Sequence, residues 1–342
     1  MNTLPLSARI TAPAVATPGV VAGISWRPAA LSDIDGLLEL YRATHAVDHP
    51  TYGITHEELT KELGHSYLDL DRDTIIAIDD ATGAMVALGA QLFLPGQETL
   101  VRSIIEGAGV HPDYRRRGIG RALLAWHEQR GLQQLASSGE TLPGWIQASA
   151  DDRASSSARL FERSGYPPVR WFIGLTRALD ERMPVGDVPD GIRIEPLSLE
   201  NSAAAHAAKD AAYRDHWASQ PTTDEQWDKM LGLDIVSFEH SFVAFDPLGE
   251  AVGVLVTWVI EEEWQAQGYS SGYVGIVGVV QEWRRRGVAT ALFAANFRSL
   301  ANAGIERSDV DADSDNPNGG LGMYAAMGFV EHSRSANFVK EF

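Results

Sequence analysis

One cluster occurs twice in this chain. Residues 115–120 read RRRGIG and residues 284–289 read RRRGVA, 169 positions apart. Two further landmarks keep that register: Arg27-Pro28 and Glu195-Pro196 stand 168 apart, and Gly165 and Gly328 stand 163 apart. A period this long, held over most of 342 residues, means two copies of one domain rather than a solenoid of short repeats. The boundaries that follow are a flexible leader over 1–22, a first domain over 23–180, a linker over 181–190 and a second domain over 191–342. The stretch DERMPVGDVPDG around the linker carries two prolines and two glycines.

Within each copy, apolar and polar residues alternate in short runs before the cluster and take helical spacing after it. Strands are expected at 74–79, 84–94, 101–110, 144–149 and 169–177, and again at 240–246, 251–261, 270–280, 307–312 and 335–341. Ile119, Leu123 and Trp126, and then Val288, Leu292 and Ala295, mark one face of the helix that each cluster opens. Hairpin turns at 79–83 and 246–249, followed by a strand-helix-strand-helix end, predict an α/β fold with a mixed, mostly antiparallel sheet flanked by helices.

Composition narrows the function. Lys plus Arg is 28 against 46 Asp plus Glu, a net charge of −18, which disfavours nucleic acid and anionic membrane surfaces and suits a cationic small molecule. The acidity is uneven: 17 basic and 22 acidic residues precede residue 187, and 11 and 24 follow. With no cysteine there is no disulfide, thiolate metal site or cysteine nucleophile. No His, Asp or Glu cluster has metal-ligand spacing, and the run DADSD over 311–315 reads as a loop and strand-to-helix turn. No apolar run is long enough to span a membrane, and the start of the chain lacks a secretory layout, which fits a cytoplasmic protein.

Glycine at the start of a helix lets a ligand touch the backbone, and the free N–H groups of the first turn suit a phosphate. The two clusters therefore read as phosphate loops or, more plainly, as helix starts on a basic loop. A dinucleotide fingerprint would need three glycines and a later ribose-binding acid, which neither copy supplies.

The strand-loop-(Gln/Arg)xxGx(Gly/Ala)-helix segment resembles the acetyl-CoA signature of the GNAT superfamily of N-acetyltransferases, and both clusters satisfy it. The second copy continues into Asp315, Asn316 and a helix with Tyr324 four residues before Gly328, similar to the second GNAT signature. The first copy has Phe161 where the tyrosine would stand. The resemblance covers about 23–177 and 191–342. It implies two tandem GNAT-like domains with splayed central parallel strands, and acetyl-CoA held by Val277, Val279, Arg284, Arg285, Arg286, Gly287, Val288, Ala289 and Asn316 in the second copy. Val110, Arg115, Arg116, Arg117, Gly118, Ile119 and Gly120 are the first copy's equivalents. It further implies Tyr324 as general acid toward the CoA thiolate, no metal, and direct attack by the amine of a small-molecule acceptor, without fixing an oligomeric state. Glu261, in the acidic run 261–263 that ends a strand, and Glu106, on the first copy's cofactor strand, are the candidate bases; Tyr273 and His216 are weaker ones. A non-catalytic acyl-CoA sensor and a protein lysine acetyltransferase are the alternatives.

Overall fold

The computed structural model describes residues 4–49, 53–179, 188–315 and 320–342. They form two compact units, one made of Met1–Arg170 with Ser335–Phe342 and the other of Trp171–Arg334. Each is a mixed sheet with helices on its faces.

The first copy begins with a single helical turn, α1 (Leu6–Arg9), and then β1 (Ile24–Arg27), α2 (Ile34–Asp48), α3 (His56–Leu63) and α4 (Leu70–Asp73). Strands β2 (Thr74–Asp79), β3 (Met85–Leu92) and β4 (Val101–Val110) follow, then α5 (Ile119–Ala136), β5 (Gly144–Asp151), α6 (Ser155–Arg163) and β6 (Pro168–Ala178). The second copy repeats the plan with β7 (Arg193–Pro196), α7 (Ser202–Tyr213), α8 (Asp224–Leu231), β8 (Val236–Phe245) and β9 (Ala251–Trp258). After them come α9 (Glu261–Gln267), β10 (Ser271–Val279), α10 (Val288–Asn302), β11 (Arg307–Asp313), α11 (Gly320–Ala326) and β12 (Val330–Glu341).

In unit 1 the strand order is β1-β2-β3-β4-β5-β12, and in unit 2 it is β6-β11-β10-β9-β8-β7. Within each unit neighbouring strands pair antiparallel except the central pairs β4–β5 and β10–β11. Two features depart from the sequence reading. The last strand of each copy lies in the other unit: β12 pairs with β5 from Ser335↔Asp151 to Glu341↔Trp145, and β6 pairs with β11 from Phe172↔Asp313 to Ala178↔Arg307. The two contiguous domains expected from the sequence are therefore not the two compact units. Both strands have the same alternating pattern and follow equivalent helices, so the pattern could not say which open edge each would join. Residues 181–187 of the expected linker lie outside the described residues.

Part of the leader packs against unit 1. Leu6 is fully buried, and a Cβ on Gly144 would meet its Cδ2 at 2.6 Å, so Leu6 fills the hole that glycine leaves. Arg9 donates to the carbonyls of Leu142 and Phe342, and Gln133 to that of Pro13.

Apolar positions of each central helix build the cores. Val288, Leu292, Phe293, Phe297 and Leu300 of α10 pack with Leu255, Val274, Val310 and Ala312 on one face of the unit 2 sheet. The other face packs Val254 and Val256 against Ala205 of α7 and Trp227 and Leu231 of α8. Along β11, strand alternation puts Val310 and Ala312 on the α10 face and their neighbours on the other.

Candidate active site

The central parallel strands touch only at their starts. In unit 2 the ladder runs from Ser271↔Arg307 to Val274↔Val310 and stops, although β10 continues to Val279 and β11 to Asp313. In unit 1 it runs from Val101↔Gly144 to Ile104↔Gln147, and β4 continues to Val110. A register shift on β10 between Val274 and Ile276, and on the β3–β4 ladder between Leu88 and Ala90, turns each strand away from its parallel neighbour. The result is a V-shaped gap in each sheet, with backbone groups of β4 or β10 on one wall.

At the end of that wall both copies adopt the same loop. Arg116 and Arg285 have φ of 65° and 60°, and Gly118 and Gly287, which cap α5 and α10, have φ of 94° and 85°. Alternation of left-handed and ordinary residues turns successive N–H groups to one side, a concave donor surface for an anion, reinforced by the helix N-terminus. Nothing lies within 4 Å of a Cβ built on Gly118, so its positive φ, not space, calls for glycine there. Gly120 is different: a Cβ would make only ordinary contacts with Leu160 and Val110 at 3.5 and 3.6 Å, consistent with Ala289 at the equivalent position. These backbones fit the pyrophosphate that the motif implies.

The arginines divide their roles. Arg115 Nε donates to the Val110 carbonyl at 3.1 Å while its guanidinium forks onto Asp48 at 3.0 and 2.6 Å. Arg284 repeats this with the Val279 carbonyl at 3.0 Å, the Ala212 carbonyl at 2.8 Å and Asp215. The first arginine of each cluster therefore ties the loop to the end of α2 or α7 instead of presenting a free charge. Arg117 lies over the Tyr114 ring at 4.7 Å and Arg286 over the Trp283 ring at 5.0 Å. Ile119 and Val288, the first residues of their helices, are each 1% exposed and serve the core.

On the gap wall of unit 2, Tyr213 at the end of α7 brings its hydroxyl to Val277. The Val277 N–H donates to Tyr213 Oη at 3.3 Å and Oη donates to the Val277 carbonyl at 3.3 Å. Burial pushes the Tyr213 phenol up, and the bond to Val277 partly opposes it. Across the gap, Tyr324 of α11 is 7% exposed and meets Phe293 and Phe329 edge-on at 5.8 and 5.5 Å. Burial first, then the charges of Tyr213 and Asp311, raise its phenol above the ordinary range, so both residues lie within electrostatic reach of it. In unit 1 the counterpart Phe161 packs on Phe338 at 5.4 Å and offers no proton.

The candidate bases separate. Glu261 is not a strand end: β9 stops at Trp258, and Glu261, Glu262 and Glu263 form the first turn of α9, where acidic side chains complement the helix dipole. Glu106 lines the unit 1 gap just past the last parallel pair. Protein crowds it closely enough to push its carboxyl up to about 7, yet the side chain stays in contact with solvent, as on the floor of a cleft. Glu62 at the end of α3 is likewise pushed up to about 7 by burial and then by the charge of Glu106. Asn316 lies outside the described residues. The 311–315 run, expected to leave the strand after 312, stays in it through Asp313. In the sequence Tyr213 is an aromatic residue outside either signature, and the period-2 Asp309, Asp311 and Asp313 were the overlooked signal.

Two family models match, an acetyltransferase (GNAT) domain over residues 71–168 and the acetyltransferase (GNAT) family over 204–329, one for each V-shaped gap. The chain is a tandem GNAT N-acetyltransferase. A mycothiol acetyltransferase of Salinispora arenicola is 28% identical over 98% of both chains, and one of Paenarthrobacter aurescens is 27% identical over 74% of this chain and 73% of its own. Among solved structures, a GCN5-related N-acetyltransferase from Sphaerobacter thermophilus superposes with a TM-score of 0.69 at 22% identity, over 94% of this chain and 97% of that one. A tandem GNAT protein from the clavulanic acid biosynthesis pathway gives 0.64 at 16%, over 93% and 98%. These likenesses establish the GNAT fold in both halves. Acetyl-CoA is the cosubstrate of the family. Among the described residues no helix is long and apolar enough to cross a membrane, and no group of three or more His, Asp or Glu could hold a metal.

Proposed function

We propose that this GNAT enzyme moves the acetyl group of acetyl-CoA to the primary amine of a small, cationic acceptor, with the chemistry in unit 2 and Tyr324 as general acid. The observation that carries the reading is the pairing of an anion-binding loop with a buried phenol across one gap, Gly287 with Tyr324, where unit 1 has Gly118 with Phe161. Acetyl-CoA supplies an acetyl thioester. The chain then has three tasks: to hold the phosphates on residues 284–289, to offer the Val277 amide to the thioester carbonyl, and to give the Tyr324 proton to the leaving sulfur. Unit 1 keeps the loop without the phenol, which favours acetyl-CoA binding without transfer there. The net charge of −18 and the small-molecule relatives both favour a cationic small acceptor.

The test is acetyl-CoA-dependent thiol release against polyamines, amino sugars, aminoglycosides, amino acids and a lysine-rich peptide. A chain without cysteine adds no thiol background. Release with one class of small amine is the expected result. Release with the peptide alone would replace the small acceptor by a protein, and acetyl-CoA binding without release would leave a binding protein.

In this reading Tyr213 holds the amide that the thioester carbonyl needs, so binding exchanges one acceptor for another at Val277. Tyr213→Phe leaves that partly buried N–H without its partner until acetyl-CoA arrives. A net hydrogen bond of about 0.5–1.5 kcal/mol then no longer opposes binding, and calorimetry should show acetyl-CoA affinity in unit 2 rising about three- to tenfold. Unchanged or weaker affinity would mean that the phenol helps to build the site.

A further inference from the structure

The face of the unit 2 sheet that carries α7 holds a second set of groups next to the gap. Val310 and Ala312 belong to the core under α10, so Asp309, Asp311 and Asp313 point to the α7 side. Asp311 is the first β11 residue past the last parallel pair, Val274↔Val310, and its side chain is open to solvent. Tyr273, on the neighbouring strand, donates its hydroxyl to Asp311 Oδ2 at 3.1 Å. Trp258 stacks on Tyr273, ring centroids 5.5 Å apart and 15° from parallel. A Cβ on Gly275 would lie 1.4 Å from the Trp258 ring, so glycine there is what lets the indole lie flat along β10. On the other side of Asp311 the β6 partner is Gly174, where Ser333 and His332 fill the space a side chain would take, and two pairs further on Phe172 lies beside Asp313 with His216 and Trp217 against it at 6.5 and 6.4 Å. Two residues back, Asp309 is 7% exposed, and its Oδ1 is buried with no hydrogen-bond partner among the described residues.

A solvent-facing carboxylate beside flat rings, with a second acid behind it, is built for an ammonium group on a ring-bearing molecule. Asp311 also lies close enough to Tyr324 for its charge to act on that phenol. We propose that Asp311 binds the acceptor's ammonium group and takes its proton, and that Tyr273, Trp258 and Phe172 select primary amines carried on a ring. This rests on the reading that unit 2 acetylates an amine. The ammonium gives one proton to the Asp311 carboxylate, which later passes it to solvent. The freed nitrogen lone pair forms the N–C bond as the C–S bond breaks, and Tyr324 gives its proton to the leaving sulfur. The nitrogen sheds its second proton to water, Tyr324 regains one from water, and one proton is released overall.

The experiment compares wild type, Asp311→Asn and Tyr273→Phe in thiol release with acetyl-CoA and three probes, tyramine, glucosamine and putrescine, with acetyl-CoA binding measured by calorimetry. Wild type is expected to favour tyramine or glucosamine over putrescine. Asp311→Asn should lose about 10²- to 10³-fold in kcat/KM, with acetyl-CoA affinity within twofold of wild type. Tyr273→Phe, which keeps the ring and loses the hydroxyl, should lose about three- to tenfold. Asp311→Asn turning over within threefold of wild type overturns the assignment and leaves the transferase reading standing. So does loss of acetyl-CoA binding by Asp311→Asn with Tyr273→Phe unaffected, which would make Asp311 structural. Preference for putrescine removes the ring selection. A wild type that binds acetyl-CoA and acetylates none of the probes overturns the amine reading itself.

Discussion

Tyr324→Phe should cut kcat by about 10²-fold or more, with acetyl-CoA affinity unchanged. The ring sits in an aromatic box with Phe293 and Phe329, and phenylalanine keeps that shape, so the fold loses almost nothing. What it loses is the proton. An ordinary phenol near 10 giving its proton to a thiolate near 8.5 is uphill by about 2 kcal/mol, and burial beside Tyr213 and Asp311 makes Tyr324 a weaker acid still. The phenol is therefore fully protonated at neutral pH and can serve only if the transfer accompanies C–S cleavage. Steady-state thiol release with the best amine, together with calorimetric binding, checks this. A kcat within threefold of wild type would move the acid elsewhere, with solvent the first alternative.

Arg130→Ala should cost about 3–5 kcal/mol of stability, the usual penalty for stranding a buried charge. Arg130 Nε and Asp73 Oδ1 are 2.7 Å apart, with side chains 9% and 6% exposed. Gln134 also donates to Asp73 Oδ1, at 2.9 Å, and to the Gln91 carbonyl, at 2.8 Å. Ser103 bonds both Gln91 and Gln134 at 2.6 Å, and Gln91 Oε1 meets His127 Nδ1 at 2.8 Å. Burial pushes His127 down to about 3, so it joins this network as a neutral ring. Urea midpoints for Arg130→Ala, Asp73→Ala and the double replacement Arg130→Met with Asp73→Leu test the account. The apolar pair should stand much closer to wild type than either single variant. Simple additivity would mean that the two charges do not need each other.

Much of the architecture was legible because it is local. The helices that follow residues 118 and 287 are announced by a glycine and an apolar stripe, and both are present with the same left-handed cap. Phe161 against Tyr324 was a readable difference between the copies, since it depends only on register. Glu261 was misread because an acidic run suits a strand end and a helix first turn equally, and Ile260 breaking the strand is a matter of backbone angles. Asp311 was passed over although the expected strand over 307–312 contains it, because which face and which neighbours it has depends on pairing with β6 and β10. The arginines were legible as charge but not as partners, because Asp48 and Asp215 lie 67 and 69 residues away from Arg115 and Arg284.

By itself, then, the sequence determined two copies of one mixed α/β unit, a glycine that opens a helix after an arginine cluster in each, and a tyrosine ahead of the last glycine in only one. Those follow from spacing and residue chemistry within a few turns of chain. The tertiary structure alone decided that β12 completes unit 1 and β6 completes unit 2, that Tyr213 caps the Val277 amide, and that Asp311 stands beside Tyr273 at the parting of the strands. Each of these joins groups 38 or more residues apart. Strand edges are alike in their hydrogen bonds, so which edge is chosen depends on loop length and packing over the whole unit, and no local pattern encodes it.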